Sequence, residues 1–273
     1  MKNVFILLII SVFIFSCSSS KMNNFIKYND PNYNKAIFKK ESKLYFISLS
    51  QDQVDFYMQK VGAPTISKLT NIQWDKYLID PNSKDSETED YLDEFGLNDE
   101  NYGYKSAKDF FANTYSEIFQ KGMSGESQKL SKFKPKSYNI TSLDNSYFQN
   151  LSLKTIYSPK DSMNLQVFEP KDLNSFCKSF KEKYNDANFL IVVGKIFVTQ
   201  DMFENNVLFK SPTDFSFPKG TIIVPKVVID LDNNQVAGYH VGTLTISPGG
   251  FNTVRGAIEA AMISDTEEVN FFF

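Results

Sequence analysis

One histidine, one arginine, one tryptophan and two cysteines are all that the 273 residues supply of those types. Each scarcity removes a class of function. A zinc site takes three or four nitrogen, sulfur or oxygen ligands, and a lone histidine leaves that set short. Nucleophilic chemistry by a cysteine or serine with a histidine base would have to run through His240 alone. Positive charge is also short. The net charge is −3 and the isoelectric point is near 5.4, whereas a nucleic-acid binder carries a strong basic surplus. Phosphate-binding and dinucleotide-binding glycine loops are missing from the sequence. So is any apolar run of the roughly twenty residues that a helix needs to cross a bilayer. We therefore expect no catalytic residue, no metal ligand, no cofactor and no nucleic-acid partner.

What is present begins at the N-terminus. Met1, Lys2 and Asn3 form a short polar lead with one positive charge, and Val4 to Phe15 is apolar except for Ser11. That run has the length of a signal-peptide core and is too short for a membrane anchor. It ends in Ile14-Phe15-Ser16-Cys17, which resembles the lipobox of bacterial lipoproteins. A branched apolar residue stands three before the cysteine and a small one directly before it; Phe15 departs from the small residue usual at the middle position. The resemblance covers the first seventeen residues or so and identifies a processing class, not an activity. It implies diacylglyceryl transfer to the Cys17 thiol, cleavage after Ser16 and acylation of the new amino terminus. Each buried methylene stabilises membrane attachment by about 0.8 kcal/mol, so two or three acyl chains hold effectively for good. Ser18 stands where an inner-membrane retention signal would place Asp, and no acidic run follows. Within the lipoprotein class this implies an outer-membrane anchor facing the periplasm. The expected partners are the lipid bilayer, through acylated Cys17, and an envelope protein.

With Cys17 acylated, Cys177 has no partner for an internal disulfide, and stability must come from packing. The organisation we expect is a signal peptide over 1–16, a lipidated cysteine with flexible tether over 17–35, and a globular α+β region over 36–273. That region divides at need into 36–150 and a β-α-β-hairpin-α part over 151–273. Lys43 to Ser50 alternates Leu44 and Phe46 against Tyr45 and Ile47, as in a strand buried on both faces. Ser106 and Asp109 open a helix with Ala107, Phe110, Phe111, Tyr115, Ile118 and Phe119 on one face and Gly122 as its stop. Leu153–Tyr157 and Met163–Phe168 pair around Ser158–Asp161. Leu173, Phe176, Cys177, Phe180 and Tyr184 recur at helical spacing. Phe189 to Val198 reads as a central buried strand. Thr221–Leu231 and Gln235–Ile246 read as a long hairpin turning at Asp232-Asn233-Asn234, and a last helix is expected from about Thr253 to Ile263. The fold class is α+β, a mostly antiparallel or mixed sheet with helices packed on one face.

Candidate chemistry is thin. Asp230, Asp232 and Asn234 have the spacing of the first three ligands of a calcium loop, but Gln235 and Val241 stand where glycine and glutamate belong. Hairpin turn preference explains them better. His240 reads as a strand residue pairing across that hairpin, and Cys177 as a small hydrophobe on a helix face. Gly122-Met123-Ser124-Gly125-Glu126 lacks the second glycine of a nucleophile elbow. The acidic stretch Asp80–Glu100 and the lysines Lys129, Lys132, Lys134 and Lys136 read as solvated faces. The terminal Phe271–Phe273 reads as packed on the core. The function expected is a non-catalytic, membrane-anchored envelope interaction or assembly component. The alternatives are a ligand-binding lipoprotein with an aromatic-lined pocket and a hydrolase that uses carboxylates alone.

Overall fold

A computed structural model describes residues 25–26, 39, 41–60, 66–68, 104–125, 137–158, 163–202, 220–246 and 254–272. In chain order these form β1 (Phe25–Ile26), β2 (Lys43–Ile47), β3 (Val54–Lys60), β4 (Ile66–Lys68), α1 (Ala107–Ser124), β5 (Asn139–Leu143), a 3-10 segment (Asn145–Asn150), β6 (Leu151–Ser158), β7 (Met163–Pro170), α2 (Leu173–Lys183), β8 (Phe189–Val193), β9 (Ile196–Met202), β10 (Gly220–Asp230), β11 (Gln235–Ile246) and α3 (Val254–Phe272). The fold is α+β, built on a mixed sheet.

The sheet grows from the β10–β11 hairpin. Asp230 closes its turn: Oδ1 accepts from the backbone N–H of Asp232 and Asn233 at 3.1 and 3.0 Å, and Asn234 takes the left-handed conformation with φ 51°. Asparagine tolerates that region because its short side chain finds local hydrogen bonds. On its other side β10 pairs antiparallel with both β8 and β9, end to end. In the next row β2 runs parallel to β8 and β3 parallel to β9, and β5 runs parallel to β2. At the opposite edge β1 pairs with β11 through Phe25↔His240 and Ile26↔Tyr239. Strands from both ends of the chain thus share one sheet.

The run 189–198 is not one uninterrupted strand. It breaks at Gly194–Lys195 into β8 and β9, opposite Pro225. Proline has no N–H to give to the ladder. The Gly194 N–H donates to Pro225 O at 2.7 Å, while the Lys195 N–H turns away to Gln166 O of β7 at 2.9 Å. This bulge resets the side-chain alternation. Phe189, Ile191 and Val193 face one core, and after the bulge Ile196 and Val198 face that same core. Gly194 is needed because β7 lies directly against it; an added Cβ would sit 2.3 Å from Gln166 O.

Two layers cover the sheet. On one face α1 and α3 pack on each other and on the strands, burying Phe46, Phe110, Phe111 and Phe119 completely. Burial of each such ring is worth roughly 1.5–3 kcal/mol. The other face is covered by α2 and by the antiparallel ribbon of β6 and β7, around Tyr45, Ile47, Cys177, Leu190 and Val227. The two long helices share a face, as expected; the short α2 takes the opposite one. Helix α1 is capped by Ser106, whose Oγ accepts the Asp109 N–H at 3.2 Å, while Asp109 reaches back to the Lys105 N–H at 3.1 Å. It does not stop at Gly122. The helix passes through that glycine and ends at Gly125, which takes φ 80° and supplies the left-handed cap. Helix α3 likewise runs past Ile263 to Phe272, because Asp265 and Thr266 lie against the core and not in solvent. No helix among the described residues is long and apolar enough to cross a membrane.

Candidate functional site

Two of the meetings of lysine and tyrosine among the described residues stand in contrast, one sealed inside and one at the surface. The inner meeting follows from register. Lys226 of β10 stands directly opposite His240 of β11, and alternation points both, with Gly242, toward α1 and α3. There the Lys226 ammonium, 1% exposed, lies 2.8 and 2.7 Å from the two carboxylate oxygens of Asp265 on α3. Its other contacts are Val224 O at 3.1 Å and His240 Nδ1 at 3.4 Å. The Tyr115 hydroxyl of α1 donates to Asp265 Oδ2 at 2.6 Å, and the Lys226 ammonium sits 5.8 Å from the Tyr115 ring centre. Beyond the imidazole, His240 Nε2 lies 3.7 Å from Glu268 Oε2.

Space for this knot is made by Gly242. A Cβ there would fall 1.7 Å from Asp265 Oδ1, so only glycine lets the carboxylate reach the sheet. Burial lowers the pKa of Lys226, opposed by the Asp265 charge. Burial and the same carboxylate raise that of Tyr115. With Lys226, Asp265, His240 and Tyr115 all buried, the knot has the character of a structural ion pair and holds α3 to the hairpin.

The outer meeting is a cleft of about 400 Å³ between the 3-10 segment, the start of β6, the end of β7 and α2. Helix α2 offers it two adjacent stripes, each at i, i+4, i+8 spacing: Ser175, Ser179 and Lys183, and Phe176, Phe180 and Tyr184. Tyr147 of the 3-10 segment faces them. Its hydroxyl is 2.5 Å from that of Tyr184 and accepts from the Lys183 ammonium at 2.5 Å. The same ammonium lies 5.0 and 5.2 Å from the centres of the two rings, within cation–π range. Burial pushes the Tyr147 phenol up, but hydrogen bonds from Lys183 and Tyr184 outweigh it, and its pKa falls below the ordinary value. Gln149, Asn150 and Ser152 complete the polar wall. The Ser152 Oγ is buried with no hydrogen-bond partner among the described residues.

Beside the cleft, on the inner side of the ribbon, Tyr239 donates to Glu169 Oε1 at 2.5 Å, and Lys154 bridges Glu169 and Tyr239 at 3.0 and 3.1 Å. Burial and Glu169 push the Tyr239 phenol up to about 12.

The residues singled out in the sequence fall as follows. His240 pairs across the hairpin with Lys226. Cys177 is buried on the opposite face of the sheet, where burial and then Asp230 push its thiol up to about 11, so the fold does not unite it with His240. Asp230 spends its carboxylate on the turn, and Asp232 accepts from Lys181 at 2.5 Å and from Asn188 at 2.8 Å. Those pairings are turn and helix anchoring. Among the described residues no group of three or more His, Cys, Asp or Glu could hold a metal ion. Ser124 ends α1, its hydroxyl donating to Lys121 O at 3.0 Å. The expected flexible tether over 17–35 is overturned at Phe25–Ile26, whose backbone is tied to β11. Cys17, the rest of 17–35, the acidic stretch 80–100, the lysines of 129–136 and the side chains of 270–273 lie outside the described residues. Sequence reasoning passed over Lys226 and the cleft. A lone charge in the apolar run Ile222–Ile229 signals the first, and the Ser-Ser-Lys stripe beside the aromatic one signals the second.

No family model matches the chain, and no curated protein matches it. A crystal structure of a Xanthomonas campestris protein from the family DUF330 is similar, with a TM-score of 0.30 and 8% identity over 88% of this chain and 86% of that one. A likeness of that size carries no conclusion about fold or function.

Proposed function

We propose that this chain is a membrane-anchored bacterial lipoprotein acting without catalysis, as an interaction or assembly component of the cell envelope. Lipid on Cys17 holds it to the outer membrane, facing the periplasm. The observation that carries this reading is Ile14-Phe15-Ser16-Cys17 closing a short apolar run behind Lys2. Supporting it, the histidine and the one described thiol are committed to packing. Growth with labelled palmitate tests it. The wild-type chain takes up label and Cys17→Ala does not; equal labelling of the two overturns the anchor. Cross-linking in intact cells then reads the assembly role, which requires a stoichiometric protein partner.

The cleft on α2 favours a second reading, ligand binding by the tethered domain. A pocket of about 300–1,000 Å³ with a few placed polar groups is the ordinary form of a small-molecule site. A saturable rise in melting temperature with a small ligand supports this reading.

A further inference from the structure

We propose that the α2 cleft is a carbohydrate site, taking one or two rings of a neutral saccharide. The inference rests on the ligand-binding reading and names its ligand class. The lining sets ring surface beside hydrogen-bonding groups: Tyr147 and Phe176 supply apolar surface, Gln149, Asn150, Ser152 and Ser175 are uncharged and polar, and Lys171, Asp172 and Lys183 carry charges of both signs. A sugar has the same two-sided chemistry, C–H faces that lie on aromatic rings and hydroxyls that both donate and accept. The amides of Gln149 and Asn150 also donate and accept, which suits vicinal hydroxyls.

Other ligand classes fit less well. A fatty chain needs an enclosed apolar tunnel, and this cleft is open and polar along one wall. A strongly anionic group needs uncommitted cations. The Lys183 ammonium is already shared between Tyr147 and Tyr184, and the Asp172 carboxylate, which caps α2 in the same lining, repels an anion.

The test uses the full mature chain in detergent against a panel of neutral oligosaccharides of glucose, mannose and N-acetylglucosamine, read by titration calorimetry. Ser179→Trp fills the cleft from the exposed side of α2, and Tyr147→Ala removes the ring wall. The expected result is saturable binding by a panel member, weakened at least tenfold in both variants, little changed by salt, with melting temperatures kept. A parallel screen of acyl, aromatic and anionic small molecules separates the two levels. If one of those binds and Ser179→Trp abolishes it while no oligosaccharide binds, the carbohydrate assignment is overturned and ligand binding stands. If nothing in either set binds, or Ser179→Trp leaves binding intact, the cleft is not the site and both fall.

Discussion

Lys226 with Tyr115 and Lys183 with Tyr147 are the same two residue types in opposite surroundings. The inner lysine has a carboxylate at 2.7 Å and is shut off from the surface. The outer one has two phenols and open solvent. What differs is the cost of error. Inside, where charge is poorly solvated, removing one partner strands the other. Outside, water replaces whatever is lost, so the arrangement contributes little to stability and leaves the neighbouring cleft open to a ligand. Buried polar chemistry in this fold therefore fixes geometry, and exposed polar chemistry is where recognition can happen.

The largest expected effect falls on the inner cluster. Asp265→Ala leaves the Lys226 ammonium buried alone and should cost about 3–5 kcal/mol in denaturant unfolding. Joining it to Lys226→Met should recover at least half of that loss, because an apolar pair of similar volume needs no counter-charge. An Asp265→Ala protein within about 1 kcal/mol of wild type would show the knot to be solvated, and the contrast would collapse. Gly242→Ala comes next, at about 1–3 kcal/mol from overpacking against the carboxylate. Its cost should shrink once Asp265 is already alanine, since the clash is with that side chain; strict additivity would place the clash elsewhere.

The smallest effect belongs to the outer cluster and is read by titration. Tyr147 should release its proton below the ordinary 10.0, seen as phenolate absorbance present in wild type and missing in Tyr147→Phe. Because the folded value is the lower one, the stabilisation is full above the unfolded value and disappears as pH falls through the folded value. Lys183→Met should return the titration to the ordinary range. A Tyr147 phenol that titrates at or above 10.0 with Lys183 in place would remove the distinction drawn for the outer pair.

Much of the frame was legible in the sequence because local rules wrote it. Asp230 to Asn234 spelled the turn, Leu44 to Ile47 alternated for two cores, and Phe176, Cys177 and Phe180 marked the buried side of α2. Other features depended on contacts far along the chain. Gly122 looked like a stop because nothing local says that Tyr138 returns to donate its N–H to Met123 O at 2.9 Å, which keeps the last turn of α1 in place. The bulge at Gly194 depends on Pro225 and Gln166, and the extension of α3 on a lysine thirty-nine positions away from Asp265. Lys226 was readable as a lone charge in an apolar run, but its cross-strand partner was not: extending the hairpin from its turn would set it opposite Tyr239, and the register shift between Val228 and Ile229 moves it to His240. Nor was its counter-ion. The cleft draws on three separate segments, so its composition emerges only once they are folded together.

The two-residue strand β1 has a mechanical consequence. It fastens Phe25 and Ile26 to the edge of β11 at His240 and Tyr239, and only the short stretch 18–24 separates it from Cys17. Fully stretched, a chain covers at most about 3.3–3.6 Å per residue, which sets that leash at no more than about 30 Å. With lipid at Cys17, the β11 edge at His240 and Tyr239 would consequently stay within that distance of the point of attachment. Loosening β1 would lengthen its reach without altering the anchor.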